Sequence, residues 1–235
     1  MHSLSLGNKL GEGATARVHE IQGTDTHVFK EYLTDSAARK AYAKQMQQKV
    51  EHFIDNAPPD DLIEDTSLGE TLYLLAWPKQ PVFKGKQFAG FVMPKIDFGK
   101  TVQLNRLFSI KNRKKFNFTE DIVWRLLVAR NLANIYSELH KLGYYVIDTK
   151  PANLRTYKQA QGVCILDCDG FKLEGSPFQG EMITPDYIAP ENIGASAKDM
   201  GKEQDLYALA IIIFQLFNNG IHPFSGKLND SQANL

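Results

Sequence analysis

The sequence predicts an α+β chain in two lobes. Three observations carry that expectation. Strand-like alternation with a single helical stripe fills the first third, helical pattern dominates the remainder, and composition shifts near Ile96-Asp97-Phe98-Gly99. The boundary implied is 1–96 for the first lobe and 97–235 for the second.

Taken in order, residues 4–10 and 16–22 alternate as strands about a glycine-rich turn. Gln22-Gly23-Thr24-Asp25 reads as a hairpin turn into a third strand at 27–32. Over 35–54, Ala43, Met46, Val50, Phe53 and Ile54 fall on one helical stripe, and Asn56-Ala57-Pro58-Pro59-Asp60 stops it. Strands at 71–77 and 87–93, separated by a Pro/Gly/Lys loop, complete five. In the second lobe Thr119 is an N-cap candidate for a helix reaching His140, with Gly143 as its stop. Short strands are expected at 144–147 and 162–166. A last apolar helix opens at Glu203 or Asp205, runs to Phe217 and closes on Asn218-Asn219-Gly220.

Composition excludes several classes. Lys plus Arg and Asp plus Glu are both 27 in 235 residues, so net charge gives no reason to expect nucleic acid or a membrane surface as partner. The basic cluster Lys111, Arg113, Lys114, Lys115 reads as a solvated loop. The longest apolar run, Leu206 to Phe217, is too short to span a bilayer, and the N-terminus lacks signal-peptide form. Two cysteines, Cys164 and Cys168, are spaced for one side of one strand and not for a disulfide or a metal site. A soluble, cytoplasmic chain with reduced thiols is expected.

Chemistry concentrates in six segments. Leu10-Gly11-Glu12-Gly13-Ala14-Thr15-Ala16-Arg17-Val18 lets backbone N–H groups approach phosphate without a Cβ in the way. Lys30, on the next strand, is placed to reach such phosphates. Asp148-Thr149-Lys150-Pro151-Ala152-Asn153 is the most specific signal. Its Asp can orient a hydroxyl and accept the proton, its Lys can neutralise phosphate, and its Asn can ligate Mg²⁺ through oxygen. Asp167-Cys168-Asp169-Gly170 supplies a carboxylate to bridge the metal to phosphates. Thr184 to Glu191 and Asp205 to Gly226 follow.

With those residues assembled, the chain resembles the eukaryotic-type Ser/Thr protein-kinase family from Leu10 to Phe224, all motifs in order. The resemblance implies a bilobal fold, with a five-stranded first lobe carrying one helix and a mainly helical second lobe. The family continues for three more helices beyond the Phe224 segment, so the second lobe is expected to be cut short. By the same resemblance Gly11, Gly13, Val18 and Lys30 hold ATP. Met93 would be the gatekeeper, and Lys95 and Ile96 would form the adenine-facing hinge through backbone groups. Asp148, Lys150 and Lys30 are catalytic, Asn153 and Asp167 ligate Mg²⁺ (or Mn²⁺) with Asp169 the competing choice, and Asp205 braces the catalytic loop. A narrower likeness is to a bacterial subgroup that joins this domain to helix-hairpin-helix DNA-binding modules. It rests on Trp77-Pro78, Val92-Met93-Pro94, Leu166 to Phe171 and His222 to Gly226. No such module is present, so DNA binding is not expected.

Three departures shape the functional expectation. Val146-Ile147 stands where the family has His-Arg, which removes the phosphate receptor and implies activity that does not depend on a phosphorylated activation segment. Ala16 replaces the third loop glycine. The helix glutamate that pairs with the strand lysine falls at Gln47 or Gln48, with Glu51 one turn later. The leading expectation is transfer of the ATP γ-phosphoryl group to protein hydroxyls. The alternatives are a pseudokinase or ATP-binding scaffold, and a small-molecule kinase of related fold. Substrate and oligomeric state are not legible.

Overall fold

The computed structural model describes residues 4–67, 69–118, 121–158, 162–180 and 182–225. Strands β1 (Leu6–Glu12), β2 (Ala16–Ile21) and β3 (His27–Tyr32) form an antiparallel meander, followed by helix α1 (Ala37–Asp55). Ser36 caps α1 by accepting from the Arg39 N–H, and Asn56 ends it. A short helix α2 (Asp60–Ile63) precedes a two-stranded ribbon of β4 (Glu64–Asp65) and β5 (Leu72–Tyr73).

The main sheet is then completed by β6 (Gln80–Lys84) and β7 (Gln87–Pro94), in the order β1-β2-β3-β7-β6, antiparallel throughout. The expectation of a strand at 71–77 and a loop before 87 is therefore corrected. The fifth strand is the expected loop itself, turning at Gly85 (φ 63), and only Leu72–Tyr73 of the expected strand pairs, outside this sheet. Leu75 to Trp77 instead thread the core, where Leu75 bridges Ile165. Their uninterrupted burial, not an extended ladder, is why the run is apolar.

The remainder comprises β8 (Thr101–Gln103), α3 (Ile110–Lys115), α4 (Ile122–Lys141), β9 (Tyr144–Tyr145), β10 (Leu154–Tyr157), β11 (Val163–Ile165), β12 (Lys172–Leu173) and α5 (Lys202–Phe217), linked by 3₁₀ turns. Asp121 caps α4 through the Val123 N–H, while the expected cap Thr119 lies outside the described residues. The basic cluster is not a solvated loop. It forms α3, and Arg113 is buried, donating to the carbonyls of Leu107 and Phe108 and to Asn219 Oδ1 (2.9, 2.6 and 3.0 Å). Cys164 and Cys168 do not share a strand, since Cys164 lies in β11 and Cys168 in the following 3₁₀ turn, both buried and unpaired.

One core cluster joins the α1 end of the sheet lobe to α4, β9–β11 and α5. Aromatic rings make that joint. Phe53 of α1 stacks on Trp77 at 5.4 Å, and Trp77 meets Tyr144 and Phe171 edge-on at 5.0 and 5.9 Å. The indole N–H donates to the Phe53 carbonyl at 3.1 Å. Among the described residues no helix is long and apolar enough to cross a membrane.

Candidate active site

The turn between β1 and β2 is closed by the Gly13 N–H donating to Ala16 O at 2.8 Å. Arg39 of α1, held by Asp35 at 2.7 and 2.9 Å, donates to Ala14 O at 2.9 Å, so the first turn of the helix pins the glycine loop. A Cβ at Gly11 would meet nothing within 4 Å, so internal packing does not demand glycine there.

Beneath this loop lies a cleft of about 450 Å³. Gly11, Gly13, Val18 and Lys30 line it from the sheet, and Asp148, Lys150, Asn153 and Asp167 line it from the other side. Met93, Lys95 and Ile96 are not among its lining residues. Met93 pairs with Val28 in the sheet and Ile96 is buried in the core. Lys95 gives its main-chain N–H to Thr26 O (2.8 Å) and its ammonium to Glu20 (2.9 Å), so that N–H is not open to a base.

The floor of the cleft is set by Asp205, wholly buried on α5. Its carboxylate accepts the main-chain N–H groups of Val146 and Ile147, both at 2.7 Å, the Thr149 hydroxyl at 3.1 Å, and shares a 3.0 Å hydrogen bond with the His140 ring. Ile147 sits at φ 63, a region β-branched residues avoid. The bend presents Asp148 to the cleft. One oxygen of Asp148 accepts from Lys150 Nζ (2.5 Å), the other from the Thr184 hydroxyl (2.6 Å). The Asn153 NH₂ donates to the Asp148 main-chain carbonyl at 3.4 Å, which leaves the oxygen end of that amide as the end suited to a hard cation.

The two aspartates after β11 divide sharply. Asp167 adopts a left-handed conformation (φ 56, ψ 39) and its side chain is 61% exposed, whereas that of Asp169 is 6% exposed. Lys30 Nζ lies 3.2 Å from Asp167 and 2.7 Å from Asp169, whose second oxygen accepts from Tyr32 OH at 2.7 Å. Burial opposes charge on Lys30, but the two carboxylates outweigh it and hold its pKa above the ordinary lysine value. Burial likewise works against ionised Asp169. The Lys30 charge, its hydrogen bond and the Tyr32 hydroxyl prevail, so its pKa is lowered.

Among the described residues neither Gln47 nor Gln48 hydrogen-bonds Lys30. Gln47 donates to Glu51 at 3.1 Å, and the ion pairs of Lys30 are those with Asp167 and Asp169. The sequence reading missed Tyr32 and the role of Asp169. The available signal was Lys30 and Tyr32 at i and i+2, on one face of a strand.

The donor set fits a magnesium nucleotide. Among the described residues no three His, Cys, Asp or Glu side chains cluster to hold a metal alone. A site of one carboxylate and one amide suits Mg²⁺, which keeps waters and takes phosphate oxygens as its remaining ligands. Two lysines, Lys30 and Lys150, supply positive charge at the same cleft.

Comparison with known proteins agrees with that chemistry. The sequence profile of the protein kinase domain family matches residues 80–235. Protein kinase YegI of Escherichia coli K12 is 25% identical over 232 residues, which cover 94% of this chain and 32% of YegI. YegI of E. coli O157:H7 is 25% identical over 230 residues, with the same coverage. Rho-associated protein kinase let-502 of Caenorhabditis briggsae is 25% identical over 120 residues, 48% of this chain and 10% of that protein. The chain thus spans about a third of the length of the YegI relatives it matches.

Proposed function

The chain belongs to the protein kinase domain family, and from that premise we propose that it transfers the γ-phosphoryl group of ATP to Ser or Thr hydroxyls of a protein substrate. The observation that carries this reading is the arrangement at Asp148, with Lys150 on one carboxylate oxygen and a threonine hydroxyl on the other. An incoming hydroxyl would take the place that Thr184 Oγ1 now fills.

Asp148 orients that hydroxyl and accepts its proton as oxygen bonds to the γ-phosphorus. The bond from that phosphorus to the β,γ-bridging oxygen breaks, and ADP leaves. Lys150 offsets negative charge on the transferred group, and Lys30 does so at the inner phosphates. Mg²⁺ (or Mn²⁺), when bound with the nucleotide, neutralises phosphate charge, and Asn153 and Asp167 are the residues that would hold it.

Activity without activation-segment phosphorylation is part of the proposal. Ile147 stands where an arginine would receive a phosphate. It packs with Tyr145, Ala197 and Met200, and Gly180 lies directly against it. An apolar contact thus supports the segment where a charge pair would otherwise be needed. Two relatives from Escherichia coli favour a bacterial source, and unpaired buried cysteines favour a reducing, cytoplasmic setting.

A second reading, an ATP-binding scaffold without turnover, is favoured by the engagement of both Asp148 oxygens by the protein itself. The deciding experiment is transfer of label from γ-labelled ATP with Mg²⁺ or Mn²⁺ to a generic acceptor protein. Asp148→Ala serves as control. Label that disappears in the variant supports phosphotransfer. ATP binding with no label in the wild type supports the scaffold.

A further inference from the structure

The Lys30 side chain is only 12% exposed at the cleft wall, and an ammonium so nearly buried is costly without a carboxylate partner. Its family counterpart takes that partner from the helix, yet α1 has only two carboxylates, Glu51 and Asp55. Glu51 accepts from Gln47, and Asp55 is an exposed residue in the last turn. The charged residue that α1 buries is instead a cation. Lys49 is buried, donates to Gln179 O at 3.0 Å, lies 5.5 Å from the Phe53 ring centre, and adds positive charge near Asp169.

We propose that Asp169 replaces the helix carboxylate, positioning Lys30 for the nucleotide phosphates from within the strand–loop framework. Lys30 and Tyr32 project from the same face of β3 and each binds one oxygen of Asp169. Both oxygens being satisfied, the buried carboxylate is fixed in place, and it fixes the lysine. Asp167 also meets Lys30, at 3.2 Å, but is exposed in the cleft and so remains available to the metal, and the two aspartates of Asp167-Cys168-Asp169 carry different tasks. The polarity of the usual arrangement is reversed, with the acid on the loop and a lysine on the helix. Outward movement of α1 would not by itself release Lys30.

This inference rests on nucleotide binding at the proposed site, and it is tested by a double-mutant cycle read in two ways. MgATP affinity is measured by calorimetry, and kcat and KM by label transfer, for wild type, Asp169→Asn, Lys30→Met, the double variant and Glu51→Gln. Asp169→Asn is expected to lower kcat/KM by about 10- to 100-fold, and the double variant to fall within about twofold of Lys30→Met alone, because the two residues act as one unit. Glu51→Gln is expected to match wild type.

Independent, multiplying losses, a folded Asp169→Asn with wild-type binding and turnover, or a tenfold loss in Glu51→Gln would each overturn the proposal. Should Asp169→Asn not fold, Tyr32→Phe replaces it in the cycle. A threefold or greater loss that vanishes in the Lys30→Met background supports the brace, and unchanged affinity and kcat overturn it. A wild type that binds MgATP without turnover refutes phosphotransfer separately, and the affinity cycle still decides the role of Asp169.

Discussion

Asp205 accepts the main-chain N–H of Ile147 at 2.7 Å while Ile147 sits at φ 63. A buried carboxylate thus holds a β-branched residue in a backbone region it ordinarily avoids. The adjoining Val146 N–H and Thr149 hydroxyl close on the same carboxylate, so the loop is bent before any substrate arrives.

Asp205→Ala should therefore destabilise the protein by at least ~3 kcal/mol, because several buried donors lose a charged acceptor at once. Chemical denaturation measures this directly. Phosphoryl transfer should fall further than ATP affinity, since the bend positions Asp148 and not the glycine loop.

Gly180 gives a second, steric test. A Cβ there would lie 2.9–3.0 Å from three side-chain carbons of Ile147. Gly180→Ala is expected to cost about 1–3 kcal/mol through overpacking. Adding Ile147→Ala, which removes the Cγ1 and Cγ2 contacts, should make the double variant lose less than the sum of the two single changes, and thermal melts of the three variants decide it.

Gly90 bears on Lys30 through the backbone. It sits at φ +150 opposite β3, and a Cβ would lie 1.9 Å from Lys30 O. No side-chain rotation relieves a clash with main chain. Gly90→Ala should separate β3 from β7, cost at least ~3 kcal/mol and weaken ATP binding in whatever fraction still folds. Circular dichroism and nucleotide titration report the two effects.

The thiols supply a test that does not depend on catalysis. Burial pushes the Cys164 thiol up to about 12, and burial with the nearby Asp169 and Asp167 charges pushes Cys168 well above its ordinary value. Raised pKa values mean that thiolate, the reactive form, is scarce in the folded protein at pH 8. A disulfide reagent at that pH should label essentially no thiol in the native state and both thiols after denaturation. Rapid native labelling would contradict the packing around β11.

The parts of this fold that were legible in the sequence are those where one periodicity dominates. The α1 stripe of Ala43, Met46, Val50 and Phe53 is buried in one line, and β3 runs as read, from His27 to Tyr32. Strand β6 was hidden because it is an edge strand. Pro81 and Lys84, which edges tolerate, look like loop residues. Arg113 was hidden because charge alone does not reveal burial. Its partners are the carbonyls of the preceding turn, Leu107 and Phe108, and the side chain of Asn219, 106 positions away. At the cleft, Asp148, Lys150, Asn153 and Asp167 lie within short segments and could be found by spacing. The Lys30–Asp169–Tyr32 cluster joins residues more than 130 positions apart, and only folding brings it into view.

Trp77 lies where α1, β9 and Phe171 converge, its rings in contact with Phe53 and Tyr144 and its N–H on the Phe53 carbonyl. The indole is therefore a built-in optical gauge of how far the two halves of the molecule stand apart. Prising α1 away from Tyr144 wets the ring and moves its emission to the red, while Trp124, buried against Phe118 away from this joint, gives the steady background.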